Sequence, residues 1–139
     1  MKVRRSSDHI VVRLEKNEEI ITALKAVAKT LMINGGFFYG LGVGKKIVLG
    51  YFDALSQTYV KKAFEGEYEF TSLQGNIAYQ GDEIILHCHA TITNSNFNAF
   101  GGHLFGATVP ATLEVIMFPL SQSLRRFKDT TTGLNLLDI

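Results

Sequence analysis

Apolar residues recur in two rhythms along the chain, and the change falls at Gly36. Before it, Ile20, Leu24, Val27 and Leu31 repeat at helical spacing, with Ile21 and Ala28 widening the stripe and Lys25 and Lys29 on the opposite face. Asn17 is a suitable N-cap for this helix, and Glu18 and Glu19 complement the positive end of its dipole. Asn34-Gly35-Gly36 tolerates the left-handed backbone that stops a helix. A short strand over about His9–Leu14 precedes it. After Gly36 the rhythm is that of strands. Phe37-Phe38-Tyr39 and Ile47-Val48-Leu49 read as two strands meeting at a turn of glycines and Lys45-Lys46. Further strands are predicted at Thr58–Phe64, Tyr68–Ala78, Glu83–Thr93, His103–Val109, Ala111–Phe118 and Ser123–Lys128, with turns at Gly66, Gln80-Gly81-Asp82 and Asn94–Gly102. One helix against many sequential strands predicts an α+β fold with a mostly antiparallel sheet, layered or partly closed. No repeat or low-complexity linker divides the chain, so residues 1–139 are expected to form one domain.

Composition narrows the function classes. A chain of 139 residues that is 46% apolar and 11% aromatic can fill a core, which argues against disorder. Fourteen Lys and Arg against 13 Asp and Glu leave a net charge of +1, without the basic excess of a protein held on phosphates. The pairs Lys45-Lys46, Lys61-Lys62 and Arg125-Arg126 are short and scattered, as solvated turns would be. The longest uncharged run, Thr30–Gly44, has 15 residues and five glycines, too short for the ~20 that span a bilayer, so no membrane segment is expected. The first residues are basic but lack the apolar stretch of a signal peptide. The single cysteine allows no intrachain disulfide and fits a reducing, cytoplasmic compartment.

The most informative segment is Ile84-Ile85-Leu86-His87-Cys88-His89-Ala90-Thr91-Ile92. On a strand its side chains alternate, so His87 and His89 share one face and Cys88 takes the other with Leu86 and Ala90. Two imidazoles at this spacing are either a hydrogen-bonded surface pair or two ligands for one transition metal. His103 follows a polar loop and Gly101-Gly102, where the chain should return antiparallel, and would supply a third nitrogen. Three nitrogens with an open fourth position are the pattern of catalytic zinc. Cys88 is expected to be a small core residue, and His9 has no partner nearby in sequence. Gly40-Leu41-Gly42-Val43-Gly44-Lys45-Lys46 fails as a phosphate loop, because Tyr39 and Lys46 occupy the positions of the first glycine and the Ser/Thr, so it reads as glycines in a bent strand. Glu69 and Glu114 are expected mid-strand among apolar residues, which makes them the candidates for acid–base work or for a structural ion pair.

Three segments together resemble the plants-and-prokaryotes conserved (PPC) domain family: Phe64-Glu65-Gly66-Glu67-Tyr68-Glu69-Phe70-Thr71-Ser72-Leu73-Gln74-Gly75, Leu86-His87-Cys88-His89-Ala90, and Phe100-Gly101-Gly102-His103-Leu104-Phe105-Gly106 running into Ala111-Thr112-Leu113-Glu114-Val115. The order of elements matches over nearly the whole chain, to the last strand with Arg125 and Arg126. The resemblance implies an α+β fold and a homotrimer, and it carries a DNA-binding label from plant members that join the domain to AT-hooks. This chain has no Arg-Gly-Arg-Pro core, and Glu67 stands where plant members usually carry Arg, so direct DNA binding is not inherited. A more remote similarity to acetolactate decarboxylase, where three histidines hold zinc, implies His87, His89 and His103 as ligands. Decarboxylase activity is not implied, because its other catalytic residues find no match. The expected function is therefore a homotrimeric, DNA-associated or regulatory assembly module with a three-histidine zinc site. The competing expectation is a zinc-dependent enzyme for a small carbonyl or carboxylate substrate, using Glu69 or Glu114.

Overall fold

A computed structural model describes residues 1–139. In chain order the elements are β1 (Lys2–Arg5), β2 (Ile10–Glu15), α1 (Ile20–Thr30), β3 (Gly36–Asp53), β4 (Thr58–Gln80), β5 (Glu83–Thr93), β6 (Ala99–Thr108), β7 (Thr112–Pro119), β8 (Arg125–Lys128) and β9 (Asn135–Asp138). The architecture is α+β, as the sequence pattern predicts, with almost every strand pair antiparallel; the exception is a single parallel pairing of β8 with β4. The helix presents Ile20, Leu24, Val27 and Ala28 to the core, and no helix is long and apolar enough to cross a membrane.

Several boundaries differ from the sequence expectation for identifiable reasons. The helix starts later: Glu19, not Asn17, is the N-cap, and its carboxylate accepts from the backbone N–H groups of Ile21 and Thr22. Asn17 instead takes a left-handed backbone, with φ of 71°, and donates its N–H to the carbonyl of Val109. The helix also stops before the Asn-Gly-Gly run, where Leu31 caps it and Met32 turns left-handed, with φ of 52°.

The two strands expected on either side of Lys45-Lys46 are one strand, β3. Register shifts at Gly40/Gly42 and Lys45/Ile47 bend it without breaking it. Gly66, expected to be a turn, is a left-handed kink within the continuous β4, with φ of 89°. These bends let β3 keep β4 on one side along its whole length while its other side faces β7 first and β6 later. Because β4 also pairs β5, and β5 pairs β6, strands β3, β4, β5 and β6 close into a ring. The short strands β1 and β9 at the sheet's two ends carried no apolar rhythm and were not expected.

The ring's interior is apolar. Phe38, Leu73, Ile77, Cys88, Ala90, Ile92 and Leu104 meet α1 and β7 in one core, and no polar or charged side chain is fully buried. Gly75 is a point of close approach in this wall, between Phe38 on β3 and Cys88 on β5. A Cβ there would collide with the His87 carbonyl oxygen and lie 2.7 Å from Phe38 Cζ. Gly75→Ala should therefore destabilise the protein by about 1–3 kcal/mol, read as a lower urea midpoint at unchanged slope.

Candidate metal centre

Alternation in β5 places His87 and His89 on the outer face of the ring, opposite Leu86, Cys88 and Ala90. The register of β5 with β6 then sets His103 directly across from His89. The three imidazoles form a compact triangle, with ring centroids 5.1 Å apart for His87 and His89, 5.3 Å for His87 and His103, and 5.5 Å for His89 and His103. One nitrogen from each lies within 4.8 Å of the others. Tetrahedral zinc holds nitrogens about 3.4 Å apart, so modest ring rotations suffice to close the set on one ion. All three sequence candidates for a metal ligand are thus brought together.

The surroundings favour neutral imidazole, the form that binds a metal. His87 and His103 are half-buried. Burial, then the positive charge on Arg126 and the neighbouring His89 imidazole, pulls the His87 pKa below its ordinary value. The same burial, then His87, His89, Lys61 and Arg126, pushes His103 down to about 4. His103 packs between aromatic rings, 4.7 Å from Phe105 and 5.1 Å from Tyr59, and its buried Nδ1 has no hydrogen-bond partner. An orphaned buried nitrogen is costly unless something occupies it, and a coordinated cation would satisfy it. The donors present therefore fit a transition metal.

Other candidates stand elsewhere. Cys88 is buried on the opposite face, where burial pushes its thiol up to about 12, so it is a core residue and not a ligand. His9 bonds Asp8 at 2.7 Å on the far side of the sheet order. Glu69 and Glu114 are mid-strand, but their side chains are exposed rather than enclosed among apolar groups. Glu69 sits opposite Thr93, whereas His89 faces Gln74, five residues further along β4 and roughly 15 Å away. Glu114 faces Arg13 and Leu41, and Leu41 lies nine residues along β3 from Gly50, the partner of His103. Neither glutamate reaches the triangle.

Two residues without any spacing signal do reach it. Asn76 on β4 pairs with His87, and Arg126 on β8 donates its Nη2–H to the Asn76 side-chain oxygen at 2.6 Å. On the other flank Lys61 pairs with Gly50, which faces His103, and its ammonium lies 3.8 Å from the Phe105 ring centroid.

The profile of the Plants and Prokaryotes Conserved (PCC) domain matches residues 1–121. The chain belongs to the PCC domain family. Three solved structures have the same fold at 28% identity. One is from Bacteroides thetaiotaomicron, described as a candidate DNA-binding protein, with a TM-score of 0.95 over 99% of this chain and 96% of that one. A metal-containing protein from Archaeoglobus fulgidus gives 0.89 over the full length of both chains. A plant- and prokaryote-conserved protein from Pyrococcus horikoshii gives 0.87 over 99% of this chain and 94% of its own. No curated protein matches the sequence significantly. The histidine triangle of this PCC domain lies within the matched residues, whereas Arg126 lies beyond them.

The lowered pKa values give the metal-free PCC domain a definite pH response. Unfolded histidine takes up a proton near pH 6.5, whereas folded His103 stays neutral until about 4. The unfolded state thus binds more protons in this window, so stability falls as pH drops from 6.5 toward 4. His103→Gln should flatten that decline, measured as urea midpoints of metal-free protein between pH 7 and 5.

Proposed function

We propose that this PCC-domain chain is a homotrimeric assembly module, DNA-associated or regulatory, built around a transition-metal site of His87, His89 and His103, with zinc as the ion. The triangle of three imidazoles on the outer sheet face carries the reading. Nitrogen-only ligation with an open fourth position suits zinc, and the Archaeoglobus relative is described as metal-containing.

The trimer is supported by what lies beside the triangle. One cross-strand row runs Val11, Ile116, Tyr39, Gln74, His89, His103 across β2, β7, β3, β4, β5 and β6. The face of β3 around Tyr39 is apolar yet open to solvent: Phe37 is 51% exposed, Tyr39 46% and Leu41 57%. Phe118 stacks on Tyr39 with centroids 5.9 Å apart and extends the strip. A contiguous apolar face on a small domain asks to be covered, and further copies of the same chain are the simplest cover for a closed symmetric assembly.

The Bacteroides relative's description supports association with DNA. A net charge of +1 makes assembly, rather than a basic groove on each chain, the route to it. The enzymatic alternative, a small carbonyl or carboxylate substrate at the metal, is favoured by the open coordination position. It has no support from Glu69 or Glu114, which stand away from the histidines.

Elemental analysis of purified protein should give about one metal per chain, and His87→Ala should reduce it by at least ~10-fold. Trace metal in the wild type sinks the metal reading. Light scattering should give three chains per particle, and a monomer sinks the assembly reading. Binding of duplex DNA at ~150 mM salt with a steep salt dependence would replace assembly by direct contact.

A further inference from the structure

Only two buried side-chain polar atoms in the whole protein lack a hydrogen-bond partner, His103 Nδ1 and Arg126 Nε. Both belong to the same neighbourhood. Arg126 is fixed there by two short bonds, Nη2 to the Asn76 oxygen and Nη1 to the backbone carbonyl of Asn135, both at 2.6 Å. Asn76 pairs with His87 and Asn135 begins β9, so the C-terminal hairpin holds the guanidinium against the rim of the triangle. Two of its three nitrogens are engaged and the third N–H is withheld from both protein and water.

The charges around the triangle are one-sided. No carboxylate or thiolate joins the three imidazoles, and none of the histidines has an ion-pair partner there. The charged groups that bear on His87 and His103 are cations, Arg126 from β8 and Lys61 from β4. Gly50 lies between Lys61 and His103 in the row, and the Phe105 ring that covers it carries the Lys61 ammonium 3.8 Å from its centroid and packs 4.7 Å from His103. A divalent ion held by neutral ligands keeps its whole charge, and two further cations add to it in a half-dry site. Such a centre is completed by an anion. A guanidinium fixed beside the triangle attracts an anionic oxygen, because charge-assisted interactions with oxyanions are the strong ones.

We propose that Arg126, with Lys61 on the opposite flank, makes the three-histidine centre an oxyanion-binding site, whose ligand would be held between the metal and the positive charge of the Arg126 guanidinium. The inference rests on the metal reading above. The ligand is a small carboxylate or inorganic phosphate, since both present two oxygens a short bite apart. Arg126 is a binding residue in this scheme, and Asn76 is its positioning residue.

The test is calorimetric titration of the zinc-loaded protein with pyruvate and, separately, with inorganic phosphate. At least one should bind with Kd below about 1 mM, and which one does so identifies the class. Arg126→Gln should keep its zinc and weaken the anion by at least ~10-fold, Arg126→Lys should recover part of the loss, and Arg125→Gln should match the wild type. Lys61→Gln, at an exposed position, should weaken the anion by about threefold and tests the site even if Arg126→Gln fails to fold. Zinc-loaded wild type that binds neither anion overturns this inference alone, as does unchanged affinity in Arg126→Gln or, where that variant does not fold, in Lys61→Gln. Wild type that holds no zinc overturns the metal reading and this inference with it.

Discussion

The two-residue alternation of side chains, kept in register across β4, β5 and β6, is the constraint on which both core and site depend. It puts Gly75, Cys88 and Leu104 to one side and Gln74, His89 and His103 to the other, strand after strand. A slip of one residue between β5 and β6 would turn His103 inward and Leu104 outward. Slippage is opposed by the apolar face itself, because Leu86, Cys88, Ala90, Ile92 and Leu104 all lose water together in the native register. The histidine triangle therefore needs no separate scaffold. Its geometry is the outer print of the packing inside.

Closure of the ring adds a second constraint. β3 must serve β7 along one half and β6 along the other, and it does so by bending at Gly42 and Lys46, both with positive φ. Gly50 near its far end accepts the crowding that follows, since a Cβ there would press on the rings of Phe105 and Tyr59. Those two rings flank His103. The glycines of the Gly40–Gly44 stretch thus act at a distance on the site, by letting β6 lie where its histidine can meet β5.

Much of this was legible in the sequence, and what was not has physical reasons. The α+β class, the strand Glu83–Thr93 and the shared face of His87 and His89 follow from periodicity alone, because alternation survives any tertiary context. His103 was legible only through the Asn94–Gly102 turn, which fixes an antiparallel return and with it the register. Bulges were harder. Gly66 and Lys45-Lys46 have turn chemistry, and whether such residues reverse a strand or merely bend it is decided by neighbouring strands far away in sequence. Glu69 and Glu114 misled for a related reason: apolar neighbours at odd and even positions lie on opposite faces, so a mid-strand carboxylate can still face water. Arg126 and Asn76 were invisible because 50 residues separate them and only the parallel docking of β8 on β4 brings them together.

The near-balance of charge takes on a different meaning once the residues are placed. A total of +1 looks like indifference to anions, yet Lys61 and Arg126 converge on a patch that holds no carboxylate, while acidic residues such as Glu15, Glu18 and Asp8 are spent at the N-terminal end on Met1, Arg13 and His9. Local sign, not the sum, decides what a half-buried site attracts, because screening by water and salt erases distant exposed charges within about 10 Å. Two cations beside three imidazoles with no carboxylate among them suit a small oxyanion. They do not suit a nucleic-acid backbone, which needs cations repeated along its length. Any contact with DNA must therefore draw on repetition that one chain lacks, and the same few charges would recur only in a symmetric assembly of the kind proposed.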